Sequence, residues 1–85
     1  MTQTVAVLGT GKIGEALLSG MIRAGWRPAD LLVTARRSER AEELRTRYGV
    51  ESVTNAEAAK RADILILTVK PQDMAKLLDE LASGA

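Results

Sequence analysis

Three glycines, Gly9, Gly11 and Gly14, follow the apolar run Val5-Ala6-Val7-Leu8 at the spacing G-x-G-x-x-G. That spacing meets one physical need, the close approach of a diphosphate to main-chain amides at a helix start. Gly9 permits the tight turn out of a strand, Gly11 leaves room for phosphate oxygens, and Gly14 lets the new helix lie close to the sheet. The N–H groups and positive dipole end of that helix then face the anion. Glycines alone are weak evidence. The strand before them and the amphipathic run after them supply the context that the pattern requires. A nucleotide-hydrolase phosphate loop would need Lys-Ser or Lys-Thr after its last glycine, and Glu15-Ala16 stand there instead.

Other residues fall where a dinucleotide would need them. A site that prefers NAD places an acid about 20 residues beyond the glycines, on the ribose 2′-hydroxyl. Here that stretch reads Thr34-Ala35-Arg36-Arg37-Ser38, without an acid. Two guanidiniums and a hydroxyl suit a 2′-phosphate, so NADP(H) is expected over NAD(H). Lys12 either lies alongside the diphosphate or is solvated, and Glu15 suits the helix dipole without further function. Asn55 either contacts the adenosine half of the cofactor or helps a turn. Thr68-Val69-Lys70-Pro71 forms an extended exit from a strand beside the glycine loop. That exit either meets the nicotinamide side or merely sets a proline at the first position of a helix. Trp26 and Tyr48 read as packing residues.

Composition removes other classes of chemistry. Without cysteine or histidine, disulfides, thiolate metal sites, His-ligated zinc and Ser-His-Asp triads are excluded, and no metal is expected. Twelve basic and eleven acidic residues give a net charge of +1, which selects neither nucleic acid nor a membrane surface. The polar start Met1-Thr2-Gln3-Thr4 and short apolar runs contain no signal or spanning segment, so a cytoplasmic location is expected.

The elements that must position these residues alternate as βαβ units within one domain over residues 1–85. Strands are expected at 4–8, 31–35, 50–53 and 64–69. The first helix is expected over 12–24 with Ile13, Leu17, Met21 and Ala24 on its buried face. Ser38 is expected to cap a helix over 39–48, whose Ala41, Leu44 and Tyr48 share a face before Gly49 stops it. Thr54-Asn55-Ala56-Glu57 has capping-box spacing and opens a short helix. A last helix begins at Pro71, with Met74, Leu77, Leu78 and Leu81 as its stripe. The fold class is a Rossmann-type parallel α/β sheet of order 3-2-1-4 with flanking helices and a crevice above strands one and four. The run Ile64-Leu65-Ile66-Leu67-Thr68-Val69, apolar on both faces, belongs inside a covered sheet. Its far edge leads to the expectation of a longer fold, truncated here before its remaining strands, or of some other cover for that edge.

Taken in order, these residues resemble the N-terminal cofactor domain of the pyrroline-5-carboxylate reductase family along the whole chain. The resemblance rests on Val7-Leu8-Gly9-Thr10-Gly11-Lys12-Ile13-Gly14-Glu15-Ala16-Leu17-Leu18-Ser19-Gly20, then Asn55, then Thr68-Val69-Lys70-Pro71-Gln72. It implies that residues 8–13, Arg36, Asn55 and residues 68–71 correspond to NADP-contacting positions. The family often has alanine at the position of Gly14, which is equally suited to close packing. It further implies hydride transfer from NAD(P)H to the C=N carbon of 1-pyrroline-5-carboxylate, giving L-proline, in an intact homo-oligomeric protein. The family's C-terminal helical domain supplies dimer contacts and much of the substrate pocket, so this chain alone is expected to be inactive, and no catalytic residue is assigned within it. Two alternatives remain. One is another NADP-dependent reductase of similar half-fold, such as a deazaflavin-dependent NADP reductase or a β-hydroxyacid dehydrogenase, against which the Val-Lys-Pro-Gln exit argues. The other is a dinucleotide-binding module without catalysis.

Overall fold

A computed structural model describes residues 3–9, 11–35 and 37–84. Short aliphatic runs make four strands: β1 (Val5–Leu8), β2 (Leu31–Val33), β3 (Glu51–Ser52) and β4 (Ile64–Leu67). Between and after them lie α1 (Lys12–Arg23), α2 (Ser38–Tyr48), α3 (Asn55–Arg61) and α4 (Pro71–Gly84), with a 3-10 turn at Pro28–Asp30. The strands are all parallel, in the order β3-β2-β1-β4. The expected fold class is borne out. The order reverses between β1 and β4, and this reversal opens a crevice above their C-terminal ends.

The strand pleat divides the core in two. Val5, Leu31 and Val33 face α1 and α2, where Leu18 and Leu44 meet them. Ala6, Leu8 and Leu32 face the other way, against Ala58 of α3 and Leu77 of α4. Trp26 and Tyr48 pack, half-buried, against the first of these cores, as expected. No helix among the described residues is long and apolar enough to cross a membrane.

Several local expectations are corrected. α1 is rotated by one residue from its expected face: Gly14 and Leu18 are buried, while Ile13 is 78% exposed and Leu17 36%. A helix with a glycine in its first turn seats that glycine against the sheet, and the isoleucine before it turns outward. Ser38 is not a cap but the first helical residue; Arg37 holds the cap position and no side chain closes this end. Gly49, in the left-handed region at φ 76°, ends α2 as expected. Strands two, three and four are each shorter than expected, although one further backbone bond extends each at its exit, from the Thr34, Val53 and Thr68 N–H groups to Val7 O, Val33 O and Leu8 O. β4 is an edge strand, with Ile64 and Leu65 about 40% exposed and no strand on its outer side among the described residues. Leu78 likewise turns outward from the α4 stripe.

Candidate functional site

The site is a loop held from both sides. β1 delivers Leu8, fully buried, and the backbone then turns at Gly9, where φ is 73°. The Gly11 N–H donates to the Gly9 carbonyl at 2.8 Å, closing the turn, and the Glu15 N–H donates to Gly11 O at 2.9 Å to begin α1. The neighbouring strands each contribute a threonine at their exits. The Gly9 N–H donates to Thr34 Oγ1 at 2.9 Å, from the β2 side. From the β4 side the Thr68 hydroxyl donates to Leu8 O at 2.8 Å and lies 3.2 Å from Gly9 O. Both backbone groups of Gly9 are thus satisfied within the protein, which fixes the loop.

The glycines of the loop differ in what they permit. A Cβ on Gly9 would stand 2.2 Å from Val69 Cγ1, so close approach to the β4 exit, as well as its φ, demands glycine. A Cβ on Gly11 would meet nothing within 4 Å. Gly11 is the cap residue of α1 and offers no side chain to cap the first amides of the helix; Arg40 Nη2 reaches its carbonyl, at 3.4 Å, and leaves the positive dipole end of the helix uncapped. This is the arrangement that an anionic diphosphate needs, and the residues present fit such a group.

Two adjoining cavities, of about 570 and 590 Å³, lie above the strand ends and share Gly9, Val69 and Asp73. The first runs over the exits of β2 and β3, past Thr34, Val53 and Asn55, to α4. There Asn55 Nδ2 donates to Glu80 Oε2 at 2.7 Å, joining α3 to α4, while Thr54 caps α3 by accepting from the Glu57 N–H at 3.1 Å. The second cavity lies between the starts of α1 and α2 and the exit of β4, bringing Gly11, Arg37, Thr68 and Lys70 together. Its walls carry Arg37, Arg40 and Lys70 against Glu39, Glu43 and Asp73, so local charge is balanced.

Of the expected site residues, Gly9, Gly11, Arg37, Asn55, Thr68, Val69 and Lys70 line these cavities. Leu8 and Gly14 are buried beneath the loop, and Lys12, Ile13, Ser38 and Pro71 are exposed at helix starts outside the cavity walls. Thr10 and Arg36 lie outside the described residues. Thr34, Arg40 and the carboxylates of the cavity walls were not anticipated. Thr34 stands in a stretch dominated by the charges of Arg36 and Arg37, and nothing local marks its hydroxyl as the partner of an amide 25 residues away.

Glu15 has more to do than complement a dipole. Its Oε1 accepts from Arg40 Nη2 at 2.5 Å, and its Oε2 accepts from the Tyr48 hydroxyl and from Arg47 Nη1, each at 2.6 Å. The Tyr48 hydroxyl, followed by the Arg40 and Arg47 guanidiniums, holds its carboxyl down at about 2. The same carboxylate raises Arg40 and Tyr48 above their ordinary values.

Sheet order, glycine loop and open helix start together define a nicotinamide-dinucleotide-binding α/β domain. Residues 4–85 match the family described as NADP oxidoreductase, coenzyme F420-dependent, and the chain belongs to that family. It is similar to the pyrroline-5-carboxylate reductase of Corynebacterium melassecola, with 48% identity over 79 residues that cover 92% of this chain and 29% of the relative. Among solved structures it is similar to a pyrroline-5-carboxylate reductase from Coxiella burnetii, with a TM-score of 0.90 and 26% identity, covering 98% of this chain and 31% of the other. It is also similar to an imine reductase variant from Myxococcus stipitatus solved with NAD+, with a TM-score of 0.78 and 30% identity, covering 99% of this chain and 29% of that one. The resemblance read from the glycine loop and the Val-Lys-Pro-Gln exit is borne out by these relatives. The chain spans about three-tenths of their length.

Proposed function

We propose that residues 1–85 are the N-terminal NADP(H)-binding part of a pyrroline-5-carboxylate reductase, which reduces 1-pyrroline-5-carboxylate to L-proline. The observation that carries this reading is the loop itself, a strand exit pinned by Thr34 and Thr68 and opening onto an uncapped helix start. Similarity to reductases of that name supports the choice of substrate. In this reading the helix-start amides of Lys12, Ile13 and Gly14 would face the diphosphate, Gly9, Thr10 and Gly11 would form the turn that lets it approach, and Leu8 would be its floor. Arg36, Arg37 and Ser38 would hold the 2′-phosphate, Asn55 the adenosine half, and Thr68, Val69, Lys70 and Pro71 the nicotinamide side. The reduced nicotinamide supplies the hydride when bound, and the chain contributes binding and orientation. The intact protein is a cytoplasmic homo-oligomer acting on a small molecule, without nucleic-acid or membrane partners.

The test is a titration of the 85-residue chain with NADPH and NADH. NADPH binds about tenfold or more tightly, because one charge-assisted hydrogen bond to the 2′-phosphate is worth ~1.5–3 kcal/mol. Arg36→Ala and Arg37→Ala each lower the NADPH:NADH affinity ratio about tenfold. An unchanged ratio in both variants overturns the cofactor preference. The family description itself favours a second reading, another NADP oxidoreductase. A chimaera separates the two. Placed in the Corynebacterium melassecola relative in lieu of the matched 79 residues, this chain retains NADPH-driven reduction of pyrroline-5-carboxylate. A folded chimaera that binds NADPH but leaves the imine unreduced favours the second reading.

A further inference from the structure

Among the described residues no side chain caps the start of α2. Arg37 occupies its cap position without a side-chain hydrogen bond, and Ser38 is already helical. Three side-chain hydrogen bonds tie α2 to another element at one residue, Glu15. One oxygen of that carboxylate takes Arg40, in the first turn of α2, while the other takes Arg47 and Tyr48 at the far end. Seven to eight residues of helix separate these contacts, about 11 Å along the axis. A single residue of the first turn of α1 thus grips α2 near both ends. Arg40 in turn pairs with Glu43, reaches to 3.4 Å from Gly11 O, and lines the same cavity as Arg37. The Glu15 side chain is 18% exposed and that of Arg40 25%, so the pair is partly shielded from water.

We propose that Glu15 is a positioning residue for the dinucleotide site: by clamping α2 at Arg40, Arg47 and Tyr48, it sets the reach from the glycine loop to the start of α2, and with it the preference for a 2′-phosphate. The inference rests on the assignment of Arg37 and Ser38 to that phosphate. Helix-dipole complementarity would explain an acid at this position, but not three donors brought to it from another helix. An ordinary interhelical salt bridge would add a little stability and leave cofactor choice untouched.

Two variants test the clamp by titration with NADPH and NADH, with helicity checked by circular dichroism. Glu15→Gln keeps the volume and removes the charge that gathers the two arginines. Its NADPH affinity falls about three- to tenfold, with NADH within about twofold, the loss expected of a slackened binding frame. Tyr48→Phe removes one arm and no charge, and lowers the NADPH:NADH ratio about two- to threefold. It also keeps the test open should Glu15→Gln fail to fold. A ratio unchanged in Tyr48→Phe, or raised in Glu15→Gln because a screening charge has gone, overturns the proposal. Arg37→Ala serves as the control. If it lowers the ratio while the clamp variants do not, positioning alone is wrong; if it too leaves the ratio unchanged, the assignment of the phosphate corner fails and the clamp proposal falls with it.

Discussion

Gly9 shows how much one residue carries in this chain. Its backbone sits in the left-handed region, and its missing Cβ leaves the space that Val69 fills from the end of β4. Gly9→Ala therefore meets two costs, a backbone penalty of ~1–2 kcal/mol and an overpacking penalty of ~1–3 kcal/mol. Urea unfolding should show a loss of about 2–5 kcal/mol. The double variant Gly9→Ala, Val69→Ala should lose less than the sum of its parts, because the clashing Cγ1 is gone. The need for glycine at this position was legible in the spacing of the motif. Its neighbour across the fold was not, since Val69 lies 60 residues on. Thr34 and Thr68 are a parallel case. Each could be placed at a strand end, but their hydroxyls acquire a purpose only when three strands lie side by side.

At the level of elements, packing decides which face of α1 is buried, and pH should act where α1 meets α2. Apolar residues at 13, 17, 21 and 24 and at 14, 18, 21 and 22 are both credible helix faces, one position apart. Gly14 decided between them, since the side without a Cβ is the side that can lie on the sheet. That rotation leaves Glu15 next to α2, where Tyr48, Arg40 and Arg47 lower its carboxyl from 4.5 to about 2. A carboxylate depressed on folding stabilises fully above its unfolded value and loses that contribution as pH falls through its folded value. The difference in stability between wild type and Glu15→Gln should therefore be flat above about pH 5 and shrink progressively between 4.5 and 2. Urea midpoints across that range check it; a difference that persists undiminished at pH 2 would show that the charge of Glu15 contributes nothing.

For the molecule as a whole, β1 pairs on both sides whereas β4 pairs only with β1 among the described residues. Amide exchange should be slowest in β1 and at least about tenfold faster in β4, because an edge strand opens without disrupting the rest of the sheet. Equal protection in the two strands would mean that the outer edge of β4 is covered. Strand and helix types and the glycine turn could be read directly from residue order, whereas the parallel order followed from the fold that the βαβ alternation and the glycine motif together imply. The element types and the turn rest on interactions a few residues apart: apolar runs, glycine spacing, and turn chemistry such as that of Thr54. Folding in three dimensions decided which side of α1 was buried, which threonines tie down the loop, and how Glu15 came to hold both ends of α2. Those outcomes depend on residues from separate elements meeting, and no local preference encodes who meets whom.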